Sequence, residues 1–194
     1  GVIDMNRMRT ILLWSLCFLV IAAGAAFAAE KGGVLRVAVI DEPPTLDQHV
    51  VTSDLTTMIA QHIFEGLYTF DSKYSPVPLL VKSEEMKDDG KTAVLTLREG
   101  VKFHDGTDIK AKNFVDAWNY AAYGPNAQSS GYFMERIEGY GDRHCAGTAN
   151  PDDPCEGFTP KAKEMSGLKV VDDLTFTVKT TLKVANFPVR VGYS

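Results

Sequence analysis

In the stretch "VKFHDGTDIKAKNFVDAW", His104, Asp105 and Gly106 have side-chain types that could do chemistry. A nucleophilic catalyst needs a carboxylate on one imidazole nitrogen and a nucleophile on the other. Adjacent residues of an extended segment point to opposite faces, so Asp105 is badly placed to orient His104. The same residues have a second use. Aspartate bonds its own main chain two residues on, and glycine takes positive φ at no steric cost. The chain carries no G-x-S-x-G, no H-E-x-x-H and no phosphate-binding loop, and His49, His62 and His144 lie scattered without ligand spacing. The triplet reads as a turn, no catalytic residue is assigned, and no cofactor is expected.

A second cluster is "GDRHCAGTANPDDPCEGF", with Cys145 and Cys155. Two readings compete. His144 and both thiols would give only three zinc ligands. If a signal peptide carrying Cys17 is cleaved, two cysteines remain, and an even count in an oxidising compartment favours a disulfide, which the turn residues Gly147, Asn150, Pro151 and Pro154 would let close.

The compartment follows from the first residues. Arg7 and Arg9 precede the apolar run from Ile11 to Ala23, and Ala26-Phe27-Ala28 has small residues at −3 and −1. That is the pattern of a secretory signal peptide over 1–28. The alternative is an uncleaved anchor, for which the run is almost long enough. A lipoprotein reading through Cys17 is weak, because Leu16 stands where a small residue is needed. Residues 1–4, ahead of the first methionine, look like upstream sequence. Cleavage removes two arginines and one aspartate, taking the net charge from −5 to −6. An acidic exported chain lacks the positive footprint of nucleic-acid binding. No basic amphipathic stretch points to a membrane surface.

The elements that position these residues are legible in part. Val34 to Ile40 reads as a strand stopped by Pro43-Pro44, and Asp54 as the N-cap of a helix continuing toward Gly66. "LYTFD" and "KTAVLTLR" alternate as strands do. "SKYSPVPLLVKSEEMKDDGK" between them reads as irregular at first, ending in a turn at Asp88-Asp89-Gly90. "IKAKNFVDAWNYAAYGPN" is the clearest helix, with Phe114, Trp118, Ala121 and Ala122 on one face and Gly124-Pro125 at its end. "GYFMERIEGY" suggests a short helix, and "LKVVDDLTFTVKT" a hairpin about Asp172-Asp173. The class is α/β or mixed α+β.

"LTLREGVKFHDGTDIKAKNFVDAWNYA" resembles the signature of the extracytoplasmic solute-binding proteins of the peptide/nickel ABC-transporter family. Leu46-Asp47, Phe64-Glu65-Gly66-Leu67 and "GLKVVDDLTFTVK" match in the expected order. Asn113, where the family has aspartate, and Gln48, where it has proline, depart from the pattern. The resemblance implies a periplasmic-binding-protein-like lobe, partial here, with an inserted subdomain of strands and helices. Family members run to about three times this length, with two lobes closing on a ligand by a hinge. The chain is therefore expected to be an N-terminal fragment. Residues 29–64 would give the first strand and helix of the main lobe, the strand lacking sheet partners. Residues 65–194 would give the truncated inserted subdomain.

The resemblance also implies the function: a monomer that binds a peptide or other small solute and delivers it to permease subunits. It would touch the membrane only through them and catalyse nothing. Thr52, Ser53 and Asp54 fall where the family's chain passes the ligand, and Tyr132 and Phe133 in an aromatic region near the cleft. Helix capping and core packing are the competing roles for these residues. A secreted hydrolase whose catalytic half is missing, or a surface or chemoreceptor module, are the alternatives. Peptide, nickel chelate and sugar remain open as ligands.

Overall fold

The computed structural model describes residues 32–51, 53–145 and 155–192, and the chain divides into two units at Ile40/Asp41. The expected signal peptide lies outside the described residues. Within the first unit, residues 32–40 form no strand, and Val34 is 85% and Ile40 96% exposed. The expected strand is thus not formed, because a strand is defined by its ladder and these residues pair with no strand among the described residues. Among the described residues no helix is long and apolar enough to cross a membrane.

The second unit mixes helix and sheet. Its helices are α1 (Asp54–Ala60), α2 (Ala111–Ala122) and α3 (Phe187–Gly192). Its strands are β1 (Tyr68–Phe70), β2 (Pro76–Pro78), β3 (Val81–Lys87), β4 (Thr92–Leu97), β5 (Leu168–Val170) and β6 (Thr175–Lys179). β1 and β2 pair with each other, and the other four form an antiparallel sheet in the order β3-β4-β6-β5. The hairpin β5–β6 stands where the alternation about Asp172-Asp173 puts it. β2 corrects the reading of the start of 72–91 as irregular, and β3 is a strand that the pattern does not announce. β3 carries Lys82, Glu84, Glu85 and Lys87 at the sheet's edge, so its composition hides it.

Alternation makes the core. Ala93, Leu95 and Leu97 of β4 and Phe176 and Val178 of β6 are buried, and α2 lays Ala111, Val115, Trp118 and Ala122 against them. Phe176 stacks on Phe114 (centroids 5.9 Å, 4°) and meets Trp118 edge-on (5.7 Å, 78°). Asn113, the departure from the family pattern, caps α2: its Oδ1 accepts the Lys110 N–H at 2.7 Å.

Tyr68 of β1 is buried and its hydroxyl donates to Glu84 of β3, joining the two sheets. Burial first, then the hydrogen bond and charge of Glu84, push its phenol far above the ordinary 10.0. Tyr140 is pushed up to about 12, by burial and then the charge of Glu135. Both favour the neutral form when folded, so their contribution is whole below the unfolded value near 10 and is lost as pH rises through the folded ones. Stability is expected to fall steeply above pH 10. Tyr68→Phe should flatten that fall in denaturant titrations, and an unchanged slope would contradict the assignment.

Candidate ligand-binding site

Two distant stretches of chain meet beside α1. Residues 129–134 form a 3-10 turn after α2. The Ser130 N–H donates to His49 O at 3.0 Å, and Ser129 Oγ donates to Val50 O at 2.9 Å. The 45–50 segment is fixed from the other side as well. Buried Thr56 of α1 donates its hydroxyl to Thr45 O at 2.7 Å, and Asp47 Oδ1 accepts the His49 N–H at 2.9 Å. The structure therefore ties the chain leading into Ser53 and Asp54 to the turn that holds Tyr132 and Phe133.

The hydrogen bonds joining the two candidate regions run through residues outside the candidate set. Ser129, Ser130, His49 and Val50 carry no periodic signal, although the dipeptide Ser129-Ser130 ahead of a glycine marks a turn. Ser130 is only 7% exposed, and its hydroxyl has no partner.

Thr52 lies outside the described residues. Ser53, not Asp54, is the N-cap of α1. Its carbonyl accepts the Thr57 N–H at 3.0 Å and the Thr57 hydroxyl at 3.2 Å, while its own side chain makes no capping bond. Asp54 is the first helical residue, where its charge suits the positive helix end. α1 stops at Ala60, well before Gly66: the Ile63 and Phe64 N–H groups both fold back to Ala60 O.

Tyr132 and Phe133 divide their roles. Their rings lie 4.2 Å apart at 30°; Phe133 packs on the core, whereas Tyr132 is 53% exposed. Arg190 of α3 donates to Phe133 O at 3.2 Å and pairs with Glu135, so the turn is held from both ends.

The histidine–aspartate pair is a turn. Asp105 Oδ1 accepts the Thr107 N–H at 2.9 Å and its hydroxyl at 2.7 Å, and these bonds hold its carboxyl below the usual range. Gly106 takes φ +87°, and His104 Nε2 reaches Ile63 O at 3.1 Å rather than its neighbour's carboxylate. Among the described residues no group of His, Cys, Asp and Glu has metal-site geometry.

Cys145 and Cys155 are joined in a disulfide, with Cα atoms 5.4 Å apart. The bridge rests on Gly124, where a Cβ would come within 2.4 Å of Cys145 Sγ. Reduction is expected to cost about 2–3 kcal/mol by the loop-closure argument. Urea unfolding with and without dithiothreitol checks it, and coincident curves would show the bridge to be energetically idle.

Comparison with known proteins agrees with this architecture. The sequence pattern of "Bacterial extracellular solute-binding proteins, family 5 Middle" matches residues 75–193, more than half of the chain. The dipeptide-binding protein of Lactococcus lactis subsp. cremoris is 27% identical over 124 residues, covering 64% of this chain and 22% of its own. The glutathione-binding protein GsiB of Escherichia coli K12 is 37% identical over 89 residues, 46% of this chain and 17% of its own. The substrate-binding domain of an oligopeptide ABC transporter from Bacillus anthracis superposes with a TM-score of 0.64 at 28% identity, over 77% of this chain and 26% of that one. Haemophilus influenzae OppA in complex with the peptide RPPGFSPFR gives a TM-score of 0.64 at 25% identity, covering 78% and 27%. The chain thus spans about a quarter or less of the length of these relatives, all of them binding proteins. With the family pattern matched over more than half of the chain and the fold superposing on a substrate-binding domain, the chain belongs to the bacterial extracellular solute-binding proteins of family 5.

Proposed function

We propose that this chain is the N-terminal part of an extracytoplasmic protein that binds an oligopeptide and delivers it to the permease of an ABC transporter, without catalysing a reaction. The observation that supports the reading is the tie of His49 and Val50 to the 129–134 turn, which also carries the exposed ring of Tyr132. An extended peptide is recognised by main-chain hydrogen bonds together with pockets for alternate side chains. Ser53, Asp54 and Tyr132 are the contacts we assign, with Thr52 beside them and Phe133 as the support beneath Tyr132. The signal peptide over 1–28, the lobe and subdomain boundary at 64/65, the oxidised state of Cys145–Cys155 outside the cytoplasm and the monomeric state belong to the same reading. The peptide named for the Haemophilus relative and the dipeptide named for the Lactococcus one favour peptide over nickel chelate or sugar.

The test is native mass spectrometry of the gene product at the relatives' length, mixed with a defined library of short peptides. One peptide retained per protein, with the library uncleaved, is the expected result. Retention of none would remove peptides as the ligand, and cleavage would favour the secreted hydrolase. On the two-lobe reading, residues 1–194 alone would supply only a share of the contacts and would not exclude water by closure. They are expected to bind more weakly than micromolar, and micromolar binding would overturn the two-lobe mechanism.

A further inference from the structure

Past the end of α2 lies a cavity of about 310 Å³ walled by Tyr123, Arg143, Pro160, Lys161, Ala162 and Lys163, apart from the residues assigned to the peptide. Arg143 is locked at its wall. Nε and Nη2 donate to Asn119 O at 3.2 and 3.0 Å, Nη1 donates to Ala162 O at 3.2 Å and to Lys163 O, and the guanidinium lies 5.3 Å from the Tyr123 ring centroid. Asn119, itself buried, accepts the Met165 N–H at 2.7 Å, so the 160–165 segment is pinned on both sides of the cavity. Carbonyl partners satisfy the guanidinium's donors but leave its charge uncancelled. Lys161 and Lys163 are exposed, and neither forms an ion pair among the described residues. Three cations thus line one hollow of a chain whose net charge is −5.

We infer that this hollow is a second binding site, for a compact phosphate or phosphate-ester group. Cations gathered round one hollow raise the local concentration of anions, and lysines bind phosphate as point charges with rotatable donors. The volume is at the lower end of ligand cavities, which suits a headgroup-sized oxyanion rather than a peptide. That group has two sources, soluble phosphate compounds and the headgroup of an anionic phospholipid.

The experiment is a titration of the isotopically labelled whole chain with inorganic phosphate, followed by amide chemical shifts at constant ionic strength against chloride. Saturable shifts confined to Tyr123, Arg143 and residues 161–163 are expected. The double variant Lys161→Gln/Lys163→Gln, which alters only exposed side chains, is expected to weaken binding by at least about tenfold. In a second arm the chain is sedimented with phosphatidylglycerol vesicles, with phosphatidylcholine as control. Sedimentation that phosphate blocks assigns the site to a lipid headgroup, and its absence assigns the site to soluble phosphate. Shifts that do not saturate, or an equal affinity in the double variant, would overturn the proposal. Peptide binding is read separately, so either reading can fail alone.

Discussion

Replacing Phe176 with alanine is expected to lower the free energy of unfolding by about 3–5 kcal/mol, the range for deleting a buried aromatic ring. The side chain is fully buried on β6, opposite Leu95 of β4 and Val170 of β5 in the ladder. It is also where the sheet meets α2, through Phe114 and Trp118. Such ring pairs contribute about 0.5–1.5 kcal/mol each beyond the area they bury. Nothing nearby can refill the space cheaply, because the rings on α2 are held by a helix and the strand by pairing on both edges. Phe176→Leu keeps most of the volume and is expected to cost less than half as much. Urea unfolding of the three proteins at constant slope measures this. A loss under about 1 kcal/mol for the alanine variant would mean that helix and sheet are not held at this point.

Gly131→Ala is the second large effect, and it reaches the candidate site. A Cβ at 131 would come within 2.6 Å of the Ala121 carbonyl oxygen in the last turn of α2. The obstruction is main chain, so no rotamer change relieves it; either α2 or the 129–134 turn must move. Overpacking of this kind costs about 1–3 kcal/mol, and a backbone obstacle puts it near the top of that range. The movable element is the turn, which hangs on hydrogen bonds to His49 O, Val50 O and Arg190. Displacing it shifts Tyr132, so on the proposed peptide-binding reading peptide affinity is expected to drop by about tenfold, a change of ~1.4 kcal/mol. Gly141→Ala is the control, since a Cβ there meets nothing within 4 Å. Gly131→Ala with unaltered stability would contradict the packing, and lost stability with unaltered affinity would remove Tyr132 from the site.

Local chemistry was enough for several elements. The alternation of Ala93, Leu95 and Leu97 specifies a one-sided strand, the spacing of Phe114, Trp118 and Ala122 specifies a helix face, and Asp105-Gly106 specifies a turn, because periodicity and turn geometry are properties of a few neighbouring residues. The candidate residues Ser53, Asp54, Tyr132 and Phe133 came from resemblance, and only the fold shows that Phe133 is support while Tyr132 is exposed. The differences between pattern and fold have the same origin. β3 is not legible locally because an edge strand can be charged on both faces, and the 34–40 run lacks a ladder that no local pattern can supply. α1 is shorter than its apolar spacing suggests because its stop is a backbone turn onto Ala60, with no glycine or proline to announce it. What only tertiary structure decided is the placement of β4 beside β6 and the tie between Ser129 and Val50, which spans 79 residues. Contacts of that range depend on how the whole core packs, so they leave no mark on the residues around them.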